Sequence, residues 1–172
     1  MKAVILAAGL CAAATAAGAQ TPGVATDILK GDVEALAKTM LNIPGGDQLL
    51  RVVPINHGEY NTGVAVVHRA PAQNIAASLS HTQITEIYYV LRGSGMMVSG
   101  GTMENAKDQM PVNPVIGPSL AGGKITGGAV RKIGAGDIVI VPPNTPHGWT
   151  EVNEELVYLT FRMDPKKVLP LK

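Results

Sequence analysis

Two histidines and one glutamate carry the chemistry this sequence has to offer. The stretch SHTQITEIYYVLRGSG, residues 80–95, sets His81 and Glu86 five positions apart, and the apolar run behind them ends in Gly93 and Gly95. Alternate residues of a strand share a face, so His81, Gln83 and Thr85 point one way, and Glu86 meets His81 only if the chain bends. The intervening TQIT lacks strict alternation, which predicts a turn or bulge. An imidazole nitrogen and a carboxylate oxygen flanking a turn can meet at one point, which is half of a divalent-metal site.

A second stretch supplies the other half. GAGDIVIVPPNTPHGW, residues 134–149, reads as an alternating apolar strand ended by Pro142 and Pro143, followed by Asn144 and then Pro146-His147. Prolines at these places fix the backbone and therefore the direction of His147. The candidate site residues of the two stretches are His81, Glu86 and His147. His68, in GVAVVHRA, can face inward beside Val64 and Val66 and is a minor candidate for the same site. Gln83 is a weaker, neutral donor, and His57 in NHGEY belongs to a solvated turn. Tyr88, Tyr89 and Trp149 are expected to line or cap the interior, with Trp149 a pocket wall for a ligand to stack on. Met96, Met97, Met103 and Met110 show no ligand spacing and read as core filler. There is no nucleophile elbow, no phosphate-cradling loop and no Ser-His-Asp signature.

Composition narrows the function classes. The chain has 172 residues, enough for one domain with a sizeable core. Fourteen basic against 13 acidic side chains give a net charge of +1, which offers no field to attract nucleic acid or an anionic membrane. Residues 1–19, with Lys2, a small apolar run and Ala17-Gly18-Ala19, read as a secretory signal peptide cleaved after Ala19. Export to the periplasm or beyond is expected, with no membrane span in the mature chain. The only cysteine, Cys11, leaves with the signal, so chemistry falls to His, Asp, Glu, Tyr, Lys and Arg.

The elements that position these residues follow from pattern. Residues 20–48 form an arm and a helix, GDVEALAKTMLN, with Asp32 as N-cap and with Val33, Leu36, Ala37, Met40 and Leu41 on one face. Asn42, Pro44, Gly45 and Gly46 stop it. Beyond it the period is two: QLLRVVPI, GVAVVHRA, NIAASLS, EIYYVLRG, MMVSG, AVRKI, GDIVIVPP and ELVYLTFRM are short runs punctuated by Gly, Pro, Asn or Asp. With 20 glycines and 12 prolines and no second helix of similar length, the chain reads as all-β and antiparallel, a sandwich or barrel. Residues 102–128 are expected to be a loop, folded over the barrel mouth, and residues 164–172 a solvated tail.

Taken in order, the two motifs resemble those of the cupin superfamily, small jelly-roll barrels. Glu86, followed seven positions later by Gly93 in EIYYVLRGSG, is similar to the end of the family's first motif. Gly136, Pro142 and His147 keep the spacing of its second motif, with Asn144 where glycine is usual. The resemblance covers residues 49–163. It implies an antiparallel jelly-roll β-barrel, a divalent metal ion (iron, manganese or zinc) held by His81, Glu86 and His147, a small organic ligand or substrate and a homodimer. It also exposes a departure: Leu79 stands where the family's first histidine is usual. A metal-dependent dioxygenase, isomerase or lyase is the leading expectation. A metal-free barrel that binds a sugar or small acid is the alternative, and an interaction module is third.

Overall fold

The structure, a computed structural model, describes residues 25–40 and 46–172. The expected signal peptide and the helix stop at residues 41–45 lie outside the described residues.

The helix α1, Lys30–Thr39, forms where expected, but Leu29 occupies the N-cap position and Asp32 lies inside the first turn. There its carboxylate complements the positive end of the helix dipole without bonding a cap amide. Val33, Ala37 and Met40 are buried against Val66 and Val157 on the outer face of a sheet.

Thirteen strands follow among the described residues. They are β1 (Asp47–Ile55), β2 (Tyr60–Arg69), β3 (Ser78–His81), β4 (Thr85–Arg92), β5 (Ser94–Ser99), β6 (Thr102–Met103), β7 (Lys107–Asp108), β8 (Ser119–Gly122), β9 (Ile125–Thr126), β10 (Ala129–Gly134), β11 (Ile138–Val141), β12 (His147–Val152) and β13 (Leu156–Asp164). One antiparallel sheet has the order β1-β2-β13-β4-β11, the other β10-β5-β12-β3-β8-β7, and β6 and β9 form a separate ribbon. From β3 to β5 and again from β10 to β13 the chain alternates between the two large sheets. That alternation makes a jelly roll and lets neighbours in sequence face each other across the core.

The core joins the inner faces. Val67, Tyr88, Val90 and Tyr158 of the five-stranded sheet pack on Met97, Ile133 and Trp149 of the six-stranded one. Period two does this directly: Glu86, Tyr88 and Val90 are buried, while Tyr89 between them is 41% exposed. Tyr89 therefore does not line the interior. The tight turn from β4 to β5 needs Gly93, because at its φ of +82° a Cβ would stand 2.1 Å from the Glu155 carbonyl oxygen.

Two expectations are corrected. Residues 102–128 are not a structureless connection: β8 pairs with β3 in the six-stranded sheet, Ser119 opposite His81, and β7 pairs with β8. Its strands are two to four residues long, too short to show a period in sequence. Nor are residues 164–172 a solvated tail. Asp164 accepts the backbone N–H groups of Val168 at 3.0 Å and Leu169 at 2.8 Å, Leu169 is buried, and Lys172 exchanges two backbone hydrogen bonds with Val52. A buried carboxylate with two amide donors is satisfied locally, so the polar lettering of this segment concealed a docked strap.

Candidate metal centre

His81 ends β3 in one sheet and Glu86 begins the inner face of β4 in the other. The turn between them is pinned at Thr82, whose backbone and side chain both donate to the Pro118 carbonyl at 3.0 Å. The bend that the TQIT stretch predicts is thus a crossing between sheets. His147 is the first residue of β12, paired opposite Leu79 on β3, so it enters the same space from beside His81. Asn144 adopts a φ of +60°, the left-handed conformation for which glycine is the usual residue, and its N–H donates to the His81 carbonyl at 2.7 Å. The second motif thereby braces the first.

The three side chains are buried and converge. His81 Nε2 stands 3.1 Å and His147 Nε2 3.6 Å from Glu86 Oε2. All three ligand atoms lie within 4.8 Å of one another. The tautomers follow from the other ring nitrogens. His147 Nδ1 is 2.9 Å from the Thr145 carbonyl, which can only accept, so that nitrogen carries the hydrogen. Ser119 Oγ gives its proton to the Gly117 carbonyl and therefore accepts from His81 Nδ1, at 2.8 Å. With Nδ1 engaged in this way, each ring turns its Nε2 toward the Glu86 carboxylate. Three such groups converging in one buried place could together hold a cation. Atoms each about 2.1 Å from one ion, at right to tetrahedral angles, stand roughly 3.0–3.4 Å apart, close to the two histidine–glutamate separations, while the two imidazole nitrogens stand within 4.8 Å of each other. The residues fit a divalent metal ion.

Glu86 is held so that this charge persists. Arg162 Nε donates to Glu86 Oε1 at 2.8 Å and Tyr88 Oη to Oε2 at 2.9 Å. Burial alone would raise the Glu86 carboxyl, but the Arg162 guanidinium outweighs it and holds the group well below the usual carboxylate range. Burial lowers His147, with Glu86 opposing, which keeps its ring neutral and free to ligate. Burial and the Glu86 charge push Tyr88 well above the ordinary phenol value, so it stays a donor. Both the Glu86 and the His147 shifts are depressions, so each favours folding above the unfolded value and is lost as pH falls. Thermal unfolding of the metal-free chain should show Tm falling as pH drops below 6.5, the ordinary histidine value, and further below 4.5, that of the carboxyl. A Tm that rises across either window contradicts this arrangement.

The remaining candidates divide. Tyr88 and Trp149 line a cavity of about 330 Å³ together with His81, Glu86 and His147, and Trp149 Nε1 donates to Tyr158 Oη at 3.4 Å. His68 does not reach it. It shares the outward face of β2 with Val66, opposite Val157, and its Nε2 lies 3.7 Å from Glu155. The inward residues of β2 are Val67 and Arg69, one position either side, so the expected strand was right and its inward face was misassigned. Gln83 sits in the crossing turn, half-buried and away from the cavity. Residues without a motif complete the site: Arg162, whose other donors go to Asp47 Oδ2 and to the Val115 carbonyl, and Ser119, which orients His81. In LVYLTFRMD the alternation of Tyr158, Thr160, Arg162 and Asp164 was legible as one face, but not as the inner one.

No protein-family profile and no curated protein matches the chain. Solved structures do. An uncharacterized conserved protein with a double-stranded β-helix domain from Klebsiella pneumoniae is 18% identical, with 83% of this chain and 93% of that chain covered and a TM-score of 0.52. The DMSP lyase DddQ from Ruegeria pomeroyi is 18% identical over 72% of this chain and 49% of its own, about half its length, with a TM-score of 0.43. A cupin protein from Bacteroides fragilis is 17% identical over 64% and 72%, with a TM-score of 0.38. The chain has a double-stranded β-helix (jelly-roll) fold. At these identities the likeness is one of fold, and the residues have to carry the function.

Proposed function

We propose that the protein holds one divalent metal ion, iron, manganese or zinc, on His81, Glu86 and His147 and acts through it on a small organic molecule in the cavity. The observation that supports this is the meeting of two imidazole lone pairs with one anionic carboxylate in a buried pocket. Such an ion supplies Lewis-acid polarisation of a ligand oxygen, or activation of water or O2. The chain's own part is positional. Arg162 and Tyr88 orient the Glu86 carboxylate, Ser119 and the Thr145 carbonyl fix the imidazole tautomers, and Trp149 and Ile75 exclude water from the wall. Dioxygenase, isomerase and lyase reactions all use these parts, and no catalytic residue is assigned among them.

Titration of chelator-treated protein with Zn(II), Mn(II) or Fe(II) should raise Tm for at least one ion and leave His147→Ala unmoved. No rise with any ion rejects the reading.

Leu79 favours a second reading, a barrel that binds a sugar or small acid without metal. It lines the cavity and faces His147 across the strand pair, at the place of the family's first histidine. Leu79→His should add a fourth ligand and tighten metal binding about tenfold or more. Unchanged affinity, with small ligands stabilising the metal-free chain, favours the second reading instead.

Export with cleavage after Ala19 and a homodimer belong to the same proposal. The edge strand β11 exposes Ile138 and Ile140, with Tyr89 opposite Ile138. Sedimentation of the mature chain as a monomer would exclude the dimer.

A further inference from the structure

We propose that Arg69 forms an anion subsite that selects a small organic acid, its guanidinium taking the ligand's carboxylate in the same cavity that holds the His81, Glu86 and His147 side chains. The inference rests on the metal reading only for what the ligand's other end meets.

The cavity contains two arginines in opposite states. Arg162 is fully engaged: its three nitrogens donate to Glu86, Asp47 and the Val115 carbonyl. Arg69, the last residue of β2, lines the same cavity but belongs to none of the ion pairs of the described residues. Its Nε is buried without a hydrogen-bond partner. Its inward direction follows from Val67, two residues earlier, which packs in the core between the sheets. Asp47 acts on this guanidinium from beyond ion-pair distance, and a buried N–H left unpaired is better satisfied when an anion completes it. A carboxylate matches its planar fork, two oxygens to two N–H groups.

A second donor stands beside it. Tyr158 Oη accepts the Trp149 indole N–H at 3.4 Å and keeps its own proton. Arg69 lies within hydrogen-bonding and electrostatic reach of Tyr158, and the phenol, pushed up chiefly by its burial, stays neutral and able to donate. Asp47, on the same wall, gives its Oδ2 to Arg162 and makes no ion pair with Arg69, although its charge is felt there. Ile75, Leu79, Ile116 and Trp149 make the remaining walls apolar. A volume of about 330 Å³ is at the small end for ligand pockets, which limits the acid to a short or single-ring body.

The test compares acids with neutral amides of the same shape. Acetate, isobutyrate and benzoate, and acetamide, isobutyramide and benzamide, are titrated calorimetrically into wild-type protein, Zn(II)-loaded and chelator-treated, with inorganic phosphate alongside. At least one acid should bind, and its amide should bind about tenfold more weakly or worse. Arg69→Met should remove that preference while its metal content stays equal to wild type. The acid-against-amide comparison on the wild-type chain carries the test should Arg69→Met not fold. Binding of amide and acid alike, no binding by any acid, phosphate bound more tightly than every acid, or full acid selectivity in folded Arg69→Met each overturns the inference. Acid selectivity in a chain that takes up no metal upholds Arg69 and removes the metal reading alone.

Discussion

Arg162→Ala should cost about 3–5 kcal/mol of folding stability, the size expected when one partner of a buried ion pair is removed. Tm should fall by on the order of 10 °C. Arg162 is 1% exposed and Glu86 2%, so solvent cannot replace the lost guanidinium. Deleting it strands the Glu86 and Asp47 carboxylates and orphans the Val115 carbonyl. Its positive charge also holds the Glu86 carboxyl low against burial, so the variant's Glu86 should take up a proton at higher pH than in wild type. Denaturant unfolding at neutral pH checks the magnitude. Combining Arg162→Ala with Glu86→Gln should cost less than the sum of the two, because one stranded charge is then gone. A loss under about 1 kcal/mol, the scale of a surface pair, would mean that Arg162 does not anchor the centre.

Glu86→Gln should separate folding from metal binding. The amide oxygen can still accept from Arg162 Nε, and the amide N–H groups can satisfy the two Nε2 lone pairs that face this position. The fold should therefore persist, and Asp47 continues to balance Arg162. Metal affinity should drop by more than the roughly 10–100-fold that loss of an outer partner costs, because an anionic ligand is replaced by a neutral one that donates toward the site. Competition with a metallochromic indicator measures it. Wild-type affinity in a folded Glu86→Gln chain would remove Glu86 from the ligand set.

The convergence of His81, Glu86 and His147 was legible because turns and prolines around them leave a mark in the sequence. The crossing at residues 82–84, Asn144 in a glycine place and Pro146 before His147 each constrain the backbone, and constraint shows as residue type. Strand periodicity likewise revealed β1, β2, β4, β10, β11 and β13. What supports the ligands was not legible. Arg162 and Arg69 sit in ordinary alternating strands, and alternation does not say which face is inward until the sheets are paired. His68 shows the same ambiguity resolved the other way, toward the helix side of the sheet. Ser119 lies in a stretch too broken by glycine and proline to suggest a strand, yet its hydroxyl sets the tautomer of His81. The docked C-terminus depends on Asp164 accepting two amides four and five residues on, a local bond that polar composition hides.

The most direct measurement is elemental analysis of the mature chain from Gln20, purified without chelators or a histidine tag, beside His81→Ala/His147→Ala. Near one equivalent of iron, manganese or zinc in the first and background in the second is the predicted result. Background metal in both, or equal metal in both, would contradict a centre built on His81, Glu86 and His147.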